Sequence, residues 1–235
     1  MKPMQKYCSF LMGILLIAVF PSLGFAMHIP PGGGGDPPPN PVEKYAFFFW
    51  SREVTCRDAI GSYQSKLSSL GYTTYQWKNT NPEEKIESFI DDLEDSNDKL
   101  FFYLAGHGSY YVYSDVLCDP FNSIASWKLK QLLEDYLEAT DIAILVDACY
   151  AGEFVDQFSD NDGYLVMTSC SHTNTCEFFI ITLFGIEQWR ELEFSHMFFS
   201  ATCWTDNAIA TFTATAELHE EYDPQIVNNA DYDFF

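Results

Sequence analysis

The chain has 235 residues, 47% hydrophobic and 17% aromatic, enough apolar material for one sizeable core and too much for disorder over most of its length. Its 34 acidic residues against 12 basic ones give a formal net charge of −22. Such a surface repels nucleic acid and anionic lipid, which excludes both as partners, and attracts cationic ligands through a field that salt weakens.

Residues 1–26 read as a signal peptide. Lys2 and Lys6 precede an apolar stretch from Phe10 to Phe20, and Gly24-Phe25-Ala26 puts small residues at both specificity positions of a cleavage site. The apolar stretch is short for a membrane-spanning helix; a retained anchor is the alternative reading. Cleavage would remove two lysines and no acids, leaving 10 basic residues against 34 acidic ones, a net −24, on a secreted or periplasmic domain with no membrane attachment. Residues 27–41 carry four consecutive glycines and the run Pro37-Pro38-Pro39, the composition of an exposed tether. The remainder, 42–235, contains no internal repeat and reads as one domain.

Within it, residues 45–50 are an aromatic strand, 56–70 a helix ended by Gly71, and 72–77 a second strand. Asn81-Pro82-Glu83-Glu84 combines a capping side chain, a proline in the first turn and acids near the positive helix end, and predicts a helix to about residue 95. Residues 100–105 form an apolar strand that leads into Gly106-His107-Gly108, followed by a long loop over 109–124. A helix over 126–139 repeats Trp127, Leu129, Leu132, Leu133, Tyr136 and Leu137 at helical spacing, which marks them as core. Residues 142–146 form another apolar strand, followed by Asp147-Ala148-Cys149-Tyr150-Ala151-Gly152, a short helix over 153–158 and a strand from 164. Unbroken apolar strands are those covered on both faces. Their alternation with helices predicts a three-layer α/β/α sandwich around a mostly parallel sheet of about six strands.

If the strands before His107 and Cys149 are parallel neighbours, imidazole and thiol emerge at the same carboxyl edge, where α/β proteins bind ligands. That pair suits nucleophilic catalysis. A thiol ordinarily titrates near pH 8.5, so an imidazole that takes or stabilises its proton raises the thiolate fraction and can then protonate a leaving amine. The amides of Gly108 and Cys149 are candidate donors to the oxyanion that forms on the attacked carbonyl, and glycine permits the close backbone approach.

The order of a histidine-glycine pair, an apolar strand and Asp147-Ala148-Cys149-Tyr150-Ala151-Gly152 resembles the caspase, metacaspase and legumain group of cysteine peptidases, particularly prokaryotic members. Tyr164-Leu165-Val166-Met167-Thr168-Ser169 resembles the strand after their catalytic turn, Phe194-Ser195-His196-Met197-Phe198 the start of the next helical segment, and Asp223-Pro224-Gln225-Ile226 a short motif near the domain end. The likeness covers about residues 45–226 and implies a caspase-like fold with His107 and Cys149 as a catalytic dyad. Caspases proper have glutamine two residues before the cysteine; here Asp147 stands there, as in relatives that cleave after arginine or lysine. The resemblance therefore makes Asp147 a pocket residue for a basic side chain, with capping of the following turn as the alternative. Residues 170–190 match no pattern of the group.

The resulting expectation is a secreted cysteine endopeptidase acting on protein or peptide substrates after basic residues. The alternatives are a catalytically silent binding or assembly module of the same fold and a legumain-like transpeptidase. No cofactor is expected. Asp115 and Asp119 after His107 can contribute to the same pocket or bind calcium, and Asp160-Asn161-Asp162-Gly163 reads as a turn because Phe158 occupies the first ligand position of a calcium loop. His172 and Cys176 lack the second ligand pair that a zinc site needs. Six cysteines follow residue 26; with Cys149 kept as a free thiol, Cys56 with Cys118, and Cys170 with Cys176, are the expected disulfide pairs, which leaves Cys203 single.

Overall fold

In β1 (Lys44–Trp50) every residue from Tyr45 onward is buried. Side chains alternate between the faces of an extended strand, so this sheet is covered on both sides. Tyr45, Phe47 and Phe49 enter one core with Leu100, Phe102 and Leu104 of β3 (Lys99–Ala105) and Ile142, Ile144 and Val146 of β7 (Asp141–Asp147). Ala46, Phe48, Phe101, Tyr103, Ala143 and Leu145 enter the other. The first core is closed by α3 (Ser126–Tyr136), α4 (Glu153–Phe158) and the end of a helix that begins as α2 (Pro82–Lys85). The second is closed by α1 (Arg57–Ser69), α5 (Glu193–Phe198) and α6 (Ala208–Leu218).

These relations come from a computed structural model that describes residues 41–55, 57–110, 113–118, 123–183, 186–205 and 207–230, with backbone alone at 178–183 and 186–190. The expected signal peptide and all but the last residue of the expected tether lie outside the described residues. The six-stranded sheet runs β11-β8-β7-β3-β1-β2, with β2 (Thr73–Lys78), β8 (Tyr164–Thr168) and β11 (Gln225–Asn228). Its pairings are parallel except at the edge, where β11 runs antiparallel to β8. The three-layer α/β/α sandwich is thus the observed fold, of the caspase-like type.

Three expectations change. The helix after Asn81 is shorter: the Asn81 side chain accepts from the Glu83 amide as expected, but the α-helix gives way to a π turn at Ile86–Ile90. Ile86 and Ile90 are both buried, and the acids that follow them oppose continuation because carboxylates at a helix carboxyl end meet the negative end of its dipole. The expected loop over 109–124 instead carries a small antiparallel sheet of β4 (His107–Tyr110), β5 (Ser114–Leu117) and β6 (Ile124–Ala125). In α3, Leu129, Leu132 and Leu133 are core, but Trp127 and Tyr136 are exposed, and Trp127 meets Tyr113 edge-on.

Residues 170–190, unplaced by sequence, supply the loop before a hairpin of β9 (Phe178–Leu183) and β10 (Ile186–Leu192). Among the described residues no helix is long and apolar enough to cross a membrane.

Candidate active site

β3 and β7 are parallel neighbours in a register that faces Ala105 with Asp147, and both chains leave the sheet there. The Gly106 amide donates to the Asp147 carbonyl at 3.3 Å, continuing the contact one step past the strands. β4 then turns across the top. A Cβ placed on Gly108 would lie 1.8 Å from the Cys149 carbonyl oxygen, so the backbones of the two segments touch and only glycine fits. The segments that carry His107 and Cys149 therefore leave adjacent strand ends and touch at Gly108. Gly152 is equally constrained: its added Cβ would fall 2.5 Å from the His172 nitrogen.

The turn that carries Cys149 is strained and pinned. Tyr150, next to Cys149, adopts φ 60°, a left-handed conformation that costs a non-glycine residue about 1–3 kcal/mol unless its surroundings hold it. They do: its amide donates to the Asn174 carbonyl at 2.8 Å, and Ser114 of β5 donates its hydroxyl to the Tyr150 carbonyl. Among the described residues no acceptor takes the Cys149 amide away from the turn, which leaves it as a donor beside the sulfur.

Cys149 is partly exposed and lies 3.8 Å, sulfur to sulfur, from Cys176. Either sulfur can be the donor in this pair, and Cys149 Sγ also lies 3.6 Å from the Cys176 carbonyl oxygen; the contact with the Cys176 thiol pushes the Cys149 thiol down to about 6 against the opposing effect of burial. Cys176 moves well up for the complementary reason, with Cys149 the largest influence, Cys170 the second and burial adding to both. Sequence reasoning missed this neighbour of Cys149. It also paired Cys170 with Cys176 in a disulfide, whereas both are free thiols in this structure. Cys56 lies outside the described residues, and with it the other expected pair.

The His107 ring is about half exposed, with Nε2 3.3 Å from Glu53 Oε2. Glu53 follows β1, and β1, β3 and β7 stand side by side, so carboxylate, imidazole and thiol come from three consecutive strand ends. The strand order, which a single sequence does not reveal, is the signal needed to find Glu53.

Asp147 is fully buried on the α5 side of the sheet. The Ser195 amide donates to its Oδ2 at 2.9 Å, the Ser195 hydroxyl donates to the same oxygen, and Tyr103 meets that hydroxyl at 2.7 Å. Among the described residues Oδ1 has no hydrogen-bond partner. Burial, opposed by the Ser195 and Ser169 hydrogen bonds, pushes the Asp147 carboxyl up to about 6. Buried Glu191 lies nearby, taking a hydrogen bond from Tyr63 and facing His196 Nδ1 at 3.0 Å. Asp115 is spent on its own loop, accepting from the Ser109 amide at 3.2 Å, the Ser109 hydroxyl at 2.7 Å and the Ser123 hydroxyl at 2.8 Å. Asp119 lies outside the described residues. Among the described residues no group of three His, Cys, Asp or Glu side chains is arranged to hold a metal ion.

A mostly parallel sheet that presents a histidine and an activated cysteine at neighbouring strand ends defines a caspase-like protein of the cysteine peptidase kind. The Peptidase C13 family, the legumain type, matches residues 86–219, more than half of the chain, and the chain belongs to that family. A crystal structure of a protein from Geobacter sulfurreducens has the same fold, with a TM-score of 0.59 at 10% identity over 81% of this chain and 95% of that one. Among curated proteins the sequence has no match.

Proposed function

We propose that this protein is a secreted or periplasmic cysteine endopeptidase in which Cys149 is the nucleophile and His107 the acid-base partner, cleaving after arginine or lysine. The observation that carries the reading is the contact of the Gly108 backbone with that of Cys149, beside a thiol lowered to about 6. In the reaction Cys149 Sγ attacks the scissile carbonyl while the amides of Cys149 and Gly108 hold the oxyanion. His107, oriented by Glu53, delivers a proton to the departing amine and then takes one from the water that hydrolyses the thioester. Export is supported by the lysine-flanked apolar stretch and small residues within 1–26.

Preference for a basic residue rests on Asp147. A carboxylate buried with one oxygen unpartnered gains most from a cation brought to it, because burial makes the unpaired charge costly. Profiling the purified protein against a peptide library tests activity and preference together. Cleavage after arginine and lysine, lost in Asp147→Asn, is the expected result. Cleavage centred on asparagine or aspartate would overturn the preference, and absence of cleavage by folded protein would favour a binding module.

A further inference from the structure

Three thiols stand on the catalytic turn and the loop beside it, and peptide hydrolysis uses one of them. Cys176 Sγ is 3.8 Å from Cys149 Sγ, and Cys170 is the second neighbour that pushes the Cys176 thiol up. Cys170 is fully buried, its sulfur 3.2 Å from the Ala148 carbonyl and 3.3 Å from that of Asn174. The same Asn174 carbonyl accepts from the Tyr150 amide at 2.8 Å, so the turn carrying Cys149 and the loop carrying Cys170 and Cys176 are tied together. A disulfide needs sulfurs about 2.05 Å apart, so the Cys149 and Cys176 side chains must turn toward each other from their 3.8 Å separation to form one. Cys149 and Cys176 are both partly exposed, and Cys149, whose thiol is pushed down while that of Cys176 is pushed up, is the one suited to meet an oxidant in solution first.

We propose that Cys149, Cys176 and Cys170 form a thiol relay through which hydrogen peroxide oxidises the site reversibly, ending in a Cys170–Cys176 disulfide with Cys149 regenerated. The Cys149 thiolate attacks one peroxide oxygen; an S–O bond forms, the O–O bond breaks, and the hydroxide that leaves takes up a proton to become water. Cys176 loses its proton and attacks the Cys149 sulfur, so that an S–S bond forms, the S–O bond breaks and a second water departs. Cys170 then attacks the Cys176 sulfur and expels Cys149 as thiolate. Overall two thiols lose two hydrogens and one peroxide becomes two waters. The relay does not require that the protein cleave peptides, because it is read on the sulfurs.

The test treats the full chain with stoichiometric hydrogen peroxide, quenches with an alkylating agent at intervals, and maps thiols and disulfides by non-reducing mass spectrometry. The expected result is a Cys149–Cys176 link that appears first and gives way to Cys170–Cys176, both reversed by dithiothreitol. In Cys176→Ser, which keeps a hydrogen-bond donor beside Cys149, sulfenic acid on Cys149 is trapped by dimedone, and sulfinic acid forms about tenfold faster than in the unaltered protein. Conversion of Cys149 to sulfinic acid in the unaltered protein while Cys176 remains alkylatable would overturn the relay, and that measurement needs no variant to fold.

Discussion

Contact with the Cys176 thiol is the largest of the effects that push the Cys149 thiol down to about 6, below the ordinary value of about 8.5, ahead of backbone hydrogen bonds from Cys176 and Cys149. Alkylation of Cys149 by iodoacetamide, followed on its own peptide, should rise with pH through about 6 and then level off. In Cys176→Ala, which removes that thiol, the midpoint should move up toward about 8.5; an unchanged midpoint would assign the shift to another group. Asp147 behaves in the opposite sense. Its folded value of about 6 lies above the unfolded one near 3.9, so between these pH values the folded state keeps a proton that the unfolded state has lost. Its contribution to stability is present at low pH and is lost as pH rises through that window, by up to about 3 kcal/mol. Asp147→Asn should therefore gain on the unaltered protein in melting temperature between pH 4 and 7, and parallel melting curves across that range would contradict the assignment. Cys149, His107 and Asp147 were legible in the sequence because each lies at or just past the end of an apolar strand. Glu53 and Cys176 were not, because nothing in their local sequence says which strand or loop lies beside them.

At the scale of elements, the site depends on β4 lying flat against the catalytic turn. Gly108→Ala would drive a methyl group into the Cys149 carbonyl, where the backbone has no room to give. Displacement of β4, at least a hundredfold loss of turnover and destabilisation of about 1–3 kcal/mol should follow, read by peptide hydrolysis and urea unfolding; near-normal turnover would remove the contact from the mechanism. The strands of the main sheet were readable because their apolar runs admit only burial on both faces. The β4–β6 sheet was not, since strands of only two to four residues carry no periodicity long enough to distinguish them from a loop. Periodicity also over-assigned core positions in α3. Trp127 falls on the helical repeat, yet its partner is Tyr113, the residue just before β5 of the small sheet that the sequence did not disclose. Helix α2 illustrates the reverse case: its start was fixed by Asn81 and Pro82, while its end depends on packing of Ile86 and Ile90 beneath the sheet.

For the whole molecule, a net charge of −22 makes self-repulsion and long-range attraction of cations consequences of one field. Raising salt from about 0.05 M to 0.5 M should raise the melting temperature and lower kcat/KM for arginyl or lysyl substrates several-fold, with neutral substrates little affected. Loss of salt dependence with cationic substrates would separate the surface charge from substrate capture. The fold class was recoverable from strand and helix alternation alone; the order of the strands, which decides what lies beside His107, came only with the structure. The account turns on Cys149 acting as a nucleophile with His107 next to it. The most direct measurement is active-site labelling with a peptidyl acyloxymethyl ketone carrying arginine or lysine, read by intact mass and peptide mapping at neutral pH. One adduct on Cys149, absent in Cys149→Ala and strongly slowed in His107→Ala, is the predicted result; folded protein that takes no label, or takes it equally well without His107, would contradict it.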